Sequence, residues 1–120
     1  AVVIANTFPA MAIDVENRKP KLGNVVGGLS GPAIKPIILR KVWQVYKSGI
    51  GVPIIACGGI MTPNDALEYI IAGANFISIG TVNFINPKAG IEILEEIRNY
   101  LTQKGLTFNE LVGSLKIEGK

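Results

Sequence analysis

The chain has 120 residues, 48% hydrophobic and 18% charged, with a formal net charge of +3 and no histidine. This is the balance of a globular domain with a single core and not of a disordered tail. No apolar run approaches the roughly 18 residues of a membrane span, and the single cysteine, Cys57, allows neither an internal disulfide nor a Cys/His metal site. The basic side chains are scattered among acidic neighbours such as Glu92, Glu95 and Glu96, which describes a solvated surface and argues against nucleic-acid binding. A cytoplasmic protein with no membrane role is expected.

The first predicted strand runs from Val2 to Ala5 and ends in Asn6 and Thr7. The chain therefore starts inside an apolar strand, with no Met and no charged signal region, as a cleaved or truncated chain would. A polar stretch carrying Asp14, Glu16, Asn17, Arg18, Lys19 and Pro20 follows, too long for a plain turn and expected to form a hairpin or ordered loop. Gly27-Gly28-Leu29-Ser30-Gly31-Pro32 then leads into a helix with apolar residues Ile38, Val42 and Val45 on one face, stopped by Gly49 and Gly51.

The second strand, Val52 to Cys57, is the continuous apolar run of a strand buried in a parallel sheet. Its helix begins with Thr62 as N-cap, Pro63 at the first helical position and Asp65 as the capping-box carboxylate, and Gly73 ends it. The third strand spans Asn75 to Ile79. Asn86 and Pro87 open another helix, with Leu94, Ile97 and Leu101 as its apolar stripe and Gly105 as its stop. Thr107 is placed to cap a short last helix carrying Phe108, Leu111 and Val112.

Strands and helices alternating in this order specify an α/β fold with a parallel sheet and right-handed crossovers. A segment of a (β/α)8 barrel and an open doubly wound sheet both satisfy that pattern. The chain has no Gly-x-Gly-x-x-Gly turn after a strand, which a dinucleotide fold would carry, so the barrel is preferred. A whole barrel needs roughly 250 residues, so the chain is expected to be a piece of one.

Two glycine-centred strand ends, Ala56-Cys57-Gly58-Gly59-Ile60 and Ile77-Ser78-Ile79-Gly80-Thr81, lie 22 residues apart. Barrel loops after strands seven and eight commonly hold a phosphate group. Gly58, Gly59, Gly80 and Thr81 would offer backbone amides and a hydroxyl to phosphate oxygens there. Ordinary turn glycines remain the alternative for either loop alone; the pairing of the two loops favours a ligand. Gly27, Gly28, Gly31 and Ser30 offer further donors, or simply a flexible helix entrance.

Asn6 and Thr7 end a strand at the rim where barrel enzymes keep their chemistry. An Asn side chain there can read the amide or imide edge of a ring, the alternative being a local cap. Cys57 lies within the apolar strand with no histidine to activate it and is read as a buried structural thiol. Trp43, Tyr46 and Tyr69 are read as packing residues. The segment shows no paired carboxylates at strand ends and no evident acid or base. Its chemistry must come from a cofactor or from residues outside the chain.

Taken together, Asn6-Thr7, Gly27-Gly28-Leu29-Ser30-Gly31-Pro32-Ala33-Ile34-Lys35-Pro36, Gly58-Gly59-Ile60 and Gly80-Thr81 resemble the C-terminal part of dihydroorotate dehydrogenase. The likeness is best to the catalytic subunit of its NAD-linked, two-subunit type and covers essentially the whole chain. It implies that residues 1–120 are the C-terminal part of one FMN-binding TIM-barrel domain, and that the three strands are the last three of a (β/α)8 barrel. It also implies an oxidoreductase of pyrimidine biosynthesis that oxidises dihydroorotate to orotate. A base takes the C5 proton while hydride passes from C6 to flavin N5, and electrons leave through a partner subunit carrying FAD and an iron–sulfur cluster.

On the same resemblance Gly31, Gly58, Gly59, Gly80 and Thr81 hold FMN, the last four at its phosphate end. Ala5 makes a backbone contact to the flavin, and Asn6 and Thr7 hydrogen-bond the pyrimidine. The family's catalytic cysteine and its flavin-contacting lysine match no residue here, and Cys57 does not stand at the catalytic position, so the chain holds no catalytic residue and no metal ligand. Competing readings are a dihydropyrimidine dehydrogenase-type flavin domain, a flavin-free phosphate-binding barrel enzyme, and a non-catalytic interaction module. Alone, the chain is expected to have no turnover. With two open sheet edges it is expected to form homo-oligomers or to associate with the rest of its barrel; light scattering that finds a folded lone monomer contradicts this.

Overall fold

The computed structural model describes residues 1–119. Its centre is a three-stranded parallel sheet of β1 (Val2–Ile4), β6 (Ile54–Cys57) and β7 (Phe76–Ser78), in the order β1-β6-β7. Between β1 and β6 the chain forms β2 (Phe8–Ala10), β3 (Ile13–Asp14), β4 (Lys19–Pro20), β5 (Gly27–Leu29), a 3-10 turn (Pro32–Ile34) and α1 (Lys35–Lys47). Helix α2 (Pro63–Ala72) connects β6 to β7, and α3 (Val82–Ile85), α4 (Ala89–Lys104) and α5 (Phe108–Leu111) follow. This is the expected α/β alternation with a parallel sheet. Among the described residues no helix is long and apolar enough to cross a membrane.

The register decides which side chains share a face. Val3 pairs with Ile55 and Ile55 with Phe76; one residue on, Ile4 pairs with Ala56 and Ala56 with Ile77. Because successive residues of a strand point to opposite faces, these two rows lie on opposite sides of the sheet. The Ile4–Ala56–Ile77 row packs into the core with Ile38 and Val42 of α1 and Tyr69 and Ile70 of α2. On the other face Val3 is 62% and Phe76 58% exposed. The helices thus cover one side of the sheet, leaving an apolar row open on the other.

The polar stretch after β1 is two nested antiparallel ladders, β3 with β4 inside β2 with β5. The predicted strands shorten at their ends, and α4 starts at Ala89, not at Asn86-Pro87; Asn86 instead accepts from the Lys88 amide at 3.1 Å, ahead of the helix. The four residues of α3 were not foreseen, since a single turn carries no periodic signal. Of the stripe expected in α4, Ile97 is buried and Leu101 packs against the core, but Leu94 is exposed and Ile93 is buried in its place. Ile93 faces the core because it continues the line of Ala89 and Ile97 at a spacing of four.

The start of α2 is as read: the Thr62 hydroxyl accepts from the Asp65 amide while the Asp65 carboxylate accepts from the Thr62 amide. A fully buried residue against this frame is Ile38, whose Cδ1 occupies the space that a side chain on Gly58 would need. Ile38→Ala in the full-length protein is expected to cost about 2–5 kcal/mol, against about 1 kcal/mol for Thr62→Ala at the cap. Denaturant unfolding of the two variants measures both.

Candidate functional site

In-register parallel pairing brings the carboxyl ends of β1, β6 and β7 to one rim, where a cavity of about 250 Å³ opens. Ala5, Asn6, Thr7, Gly31, Gly58, Gly59, Gly80 and Thr81, the residues that the resemblance assigns to flavin and pyrimidine, line it together, whereas Gly27 and Gly28 do not. Ser30, Ile34, Cys57, Ile60, Met61, Ser78 and Phe84 complete the wall, and none of the lining residues is charged. The volume falls below the ~300–1,000 Å³ of pockets that enclose a drug-sized ligand, so it suits one end of such a molecule. A larger hollow of about 650 Å³ opens at the amino ends of the strands; its Asn75 Oδ1 already accepts from the Ile54 amide at 2.9 Å.

The glycines of the rim serve different ends. A side chain on Gly58 would strike Ile38, and one on Gly59 would lie 2.8 Å from both the Gly31 carbonyl oxygen and Lys35 Cβ. Gly59 also has φ of 68°, in the left-handed region where a side chain is strained. Fold packing therefore accounts for both. Around Gly80 nothing among the described residues lies within 4 Å of an added Cβ, so their packing gives no reason for glycine there, and the space is open to a group entering the cavity. Among the described residues, the amides of Gly59, Gly80 and Thr81 donate to no protein acceptor.

The Thr81 hydroxyl donates to Ser30 Oγ at 2.9 Å, tying the end of β7 to the Gly-rich loop 51 residues away. Ser30 was named as a donor in the sequence, but this link across the cavity was not visible there. Asn6 Oδ1 accepts from the Thr7 amide at 2.8 Å. The local-cap reading of Asn6 is therefore realised by its oxygen, while its Nδ2 has no partner among the described residues. Thr7 packs its side chain where a Cβ on Gly28 would stand, which fits glycine to that position. Cys57 is half-buried and lines the cavity; it is not the buried thiol expected, because its place in the ladder beside Ser78 puts it on the face away from the helices.

Behind the rim a polar cluster joins α1 to α2. Lys35 Nζ lies 2.6 Å from Asp65 Oδ1 and 3.0 Å from Glu68 Oε1. The hydrogen bond to Asp65 raises the Lys35 ammonium above its ordinary range, against the opposing cost of burial. Burial pulls the Asp65 carboxyl upward, but the bonds from Lys35 and from the Met61 and Thr62 amides outweigh it and hold the group below its usual value. Lys35 is thus committed to carboxylates and does not face the cavity.

The model of the dihydroorotate dehydrogenase family matches residues 1–101. The chain belongs to this family. It is 56% identical over 112 residues to the dihydroorotate dehydrogenase B (NAD(+)) catalytic subunit of Desulforamulus reducens, covering 92% of this chain and 36% of that protein. It is 57% identical over 118 residues to the subunit of the same name from Caldicellulosiruptor bescii, covering 98% of this chain and 39% of the relative. The chain therefore spans less than two fifths of the length of these relatives. Among solved structures it is similar to a ligand-free DHODH of Eimeria tenella, with a TM-score of 0.73 and 31% identity over 93% of this chain and 31% of that one. The same organism's DHODH in complex with ferulenol gives a TM-score of 0.74 at 30% identity, over 93% of this chain and 30% of that one.

The Lys35–Asp65 pair gives stability a defined pH window. Asp65 has its ordinary pKa at 3.8 and a lower one in the fold, so its contribution is complete above 3.8 and is lost as pH falls through the lowered value. Lys35 is raised above 10.5, so its share persists throughout the acid range and is lost only above that value. Asp65→Asn is expected to lower stability by about 1–2 kcal/mol at pH 7, with the gap from the parent closing below pH 3.8. Denaturant titrations of both proteins at pH 7 and pH 3 measure the difference.

Proposed function

We propose that this segment is the phosphate-binding end of an FMN site in a (β/α)8 dihydroorotate dehydrogenase of pyrimidine biosynthesis, with β1, β6 and β7 as its last three strands. The observation that carries the reading is the rim itself: Gly59, Gly80 and Thr81, whose amides have no partner among the described residues, line one cavity, and Gly80 keeps open a space that packing does not require. Backbone donors of this kind suit phosphate oxygens. Two features support the barrel. The strand order is that of consecutive parallel units, and the open Val3–Ile55–Phe76 row matches the inward layer that a closed barrel fills with side chains.

Bound here, FMN would supply the two-electron oxidation that converts dihydroorotate to orotate. Gly58, Gly59, Gly80 and Thr81 would hold its phosphate, Gly31 would let the chain pass close beside it, and Ala5 would contact the flavin through its backbone. Asn6 and Thr7, at the end of β1, would orient the pyrimidine: the free Asn6 Nδ2 is a donor for a ring carbonyl. The catalytic base, a cysteine in this family, lies outside these residues, so the chain alone is expected to have no turnover and to bind FMN weakly if at all. An electron-transfer subunit with FAD and an iron–sulfur cluster would take the electrons. The setting is the cytoplasm, where the single thiol stays reduced.

Gly80→Val tests the reading. Since nothing among the described residues lies near an added Cβ, the flavin-free full-length protein is expected to keep its stability within about 0.5 kcal/mol. FMN affinity is expected to fall about a hundredfold, the loss of contacts worth roughly 2.7 kcal/mol. Fluorescence titration with FMN and thermal unfolding of the apoprotein read the two effects; unchanged FMN affinity defeats the proposal.

A further inference from the structure

Tyr69 is fully buried in α2 and has a role beyond packing. Its hydroxyl donates to the Gly58 carbonyl at 2.7 Å, with the Lys35 carbonyl farther off at 3.3 Å. A hydroxyl has one proton to give, and the shorter contact takes it. Burial pushes the hydroxyl's pKa up, and the nearby Asp65 carboxylate adds to this, so the group stays a donor at every physiological pH.

The consequence lies in the geometry of the peptide unit. The Gly58 carbonyl and the Gly59 amide belong to one planar trans peptide, so the two bonds point in opposite directions. With the carbonyl drawn toward Tyr69 of α2, the Gly59 N–H lies on the opposite side of that peptide, and Gly59 lines the cavity together with Ala5, Ser30 and Gly80. Glycine on both sides of that peptide leaves it free to rotate, so an external anchor is needed to fix its direction. Asp65 holds the far end of the same loop through the Met61 and Thr62 amides, at 2.9 and 3.0 Å.

We propose that Tyr69 is a positioning residue whose hydroxyl fixes the Gly58–Gly59 peptide so that the Gly59 amide faces the ligand phosphate. This inference rests on the reading of the cavity as the phosphate end of an FMN site. It acts only on the phosphate end and therefore separates FMN from riboflavin, which has the same ring and side chain but no phosphate. A residue that merely holds the fold together would affect both ligands alike.

The test is titration of full-length apoprotein, parent and Tyr69→Phe, with FMN and with riboflavin. The variant is expected to bind FMN about tenfold more weakly and riboflavin within about twofold of the parent, the size of effect that one oriented hydrogen bond to a charged group supplies. A parent that binds FMN no better than riboflavin removes the phosphate reading itself. A parent that prefers FMN, with a variant that keeps the full preference, overturns the role of Tyr69 and leaves the site standing. Should Tyr69→Phe fail to fold, 3-fluorotyrosine at position 69 keeps the ring and a stronger donor. A moved ³¹P resonance of bound FMN is then expected, and an unmoved one overturns the proposal.

Discussion

Parallel pairing in strict register is the constraint on which the rest of the molecule depends. Val2, Val3 and Ile4 stand opposite Ile54, Ile55 and Ala56, and these stand level with Phe76 and Ile77 one strand further on. Three chain segments widely separated in sequence therefore end on one line. A slip of one residue in β6 would turn Ile54 and Ala56 out of the core and swing Cys57 into it. Gly58 would then leave Ile38, and the rim would lose its second wall.

The rim is made by a division of labour among small residues. Gly58 and Gly59 belong to the fold, since Ile38, the Gly31 carbonyl and Lys35 crowd them. Among the described residues nothing crowds Gly80. Behind them α2 supplies stiffness from two directions, Tyr69 through the Gly58 carbonyl and Asp65 through the Met61 and Thr62 amides. A loop this rich in glycine would otherwise have many conformations of similar energy. The buried hydroxyl and the capping carboxylate select one.

Much of this was legible in the residues, and the rest was hidden for identifiable reasons. The α/β alternation and the Thr62–Asp65 cap followed from local chemistry, because apolar runs and capping residues act over a few positions. The residues that the resemblance assigns to flavin and pyrimidine meet at one cavity, since strand ends of a parallel sheet must meet at one rim. Long-range pairings left no local trace: the Thr81–Ser30 bond spans 51 residues, and the Lys35–Asp65 bond spans 30. Tyr69 packs in the core as its apolar surroundings imply, but the bond from its hydroxyl to the Gly58 carbonyl, 11 residues away, left no trace in them. Cys57 was placed wrongly for a simpler reason: parity along β6, fixed by its neighbours, decides which face it takes.

The uncharged wall of the cavity has a further consequence. Lys35, the cation nearest to it in sequence among the rim's neighbours, is neutralised by two carboxylates. A phosphate seated on this rim would meet oriented peptide dipoles and hydroxyls instead of full opposite charges. Attraction of that kind fades within a few ångströms and is little screened by dissolved ions. This segment's share of the selectivity would then come from the shape and spacing of its donors, and would change little with ionic strength, unlike capture by a basic patch.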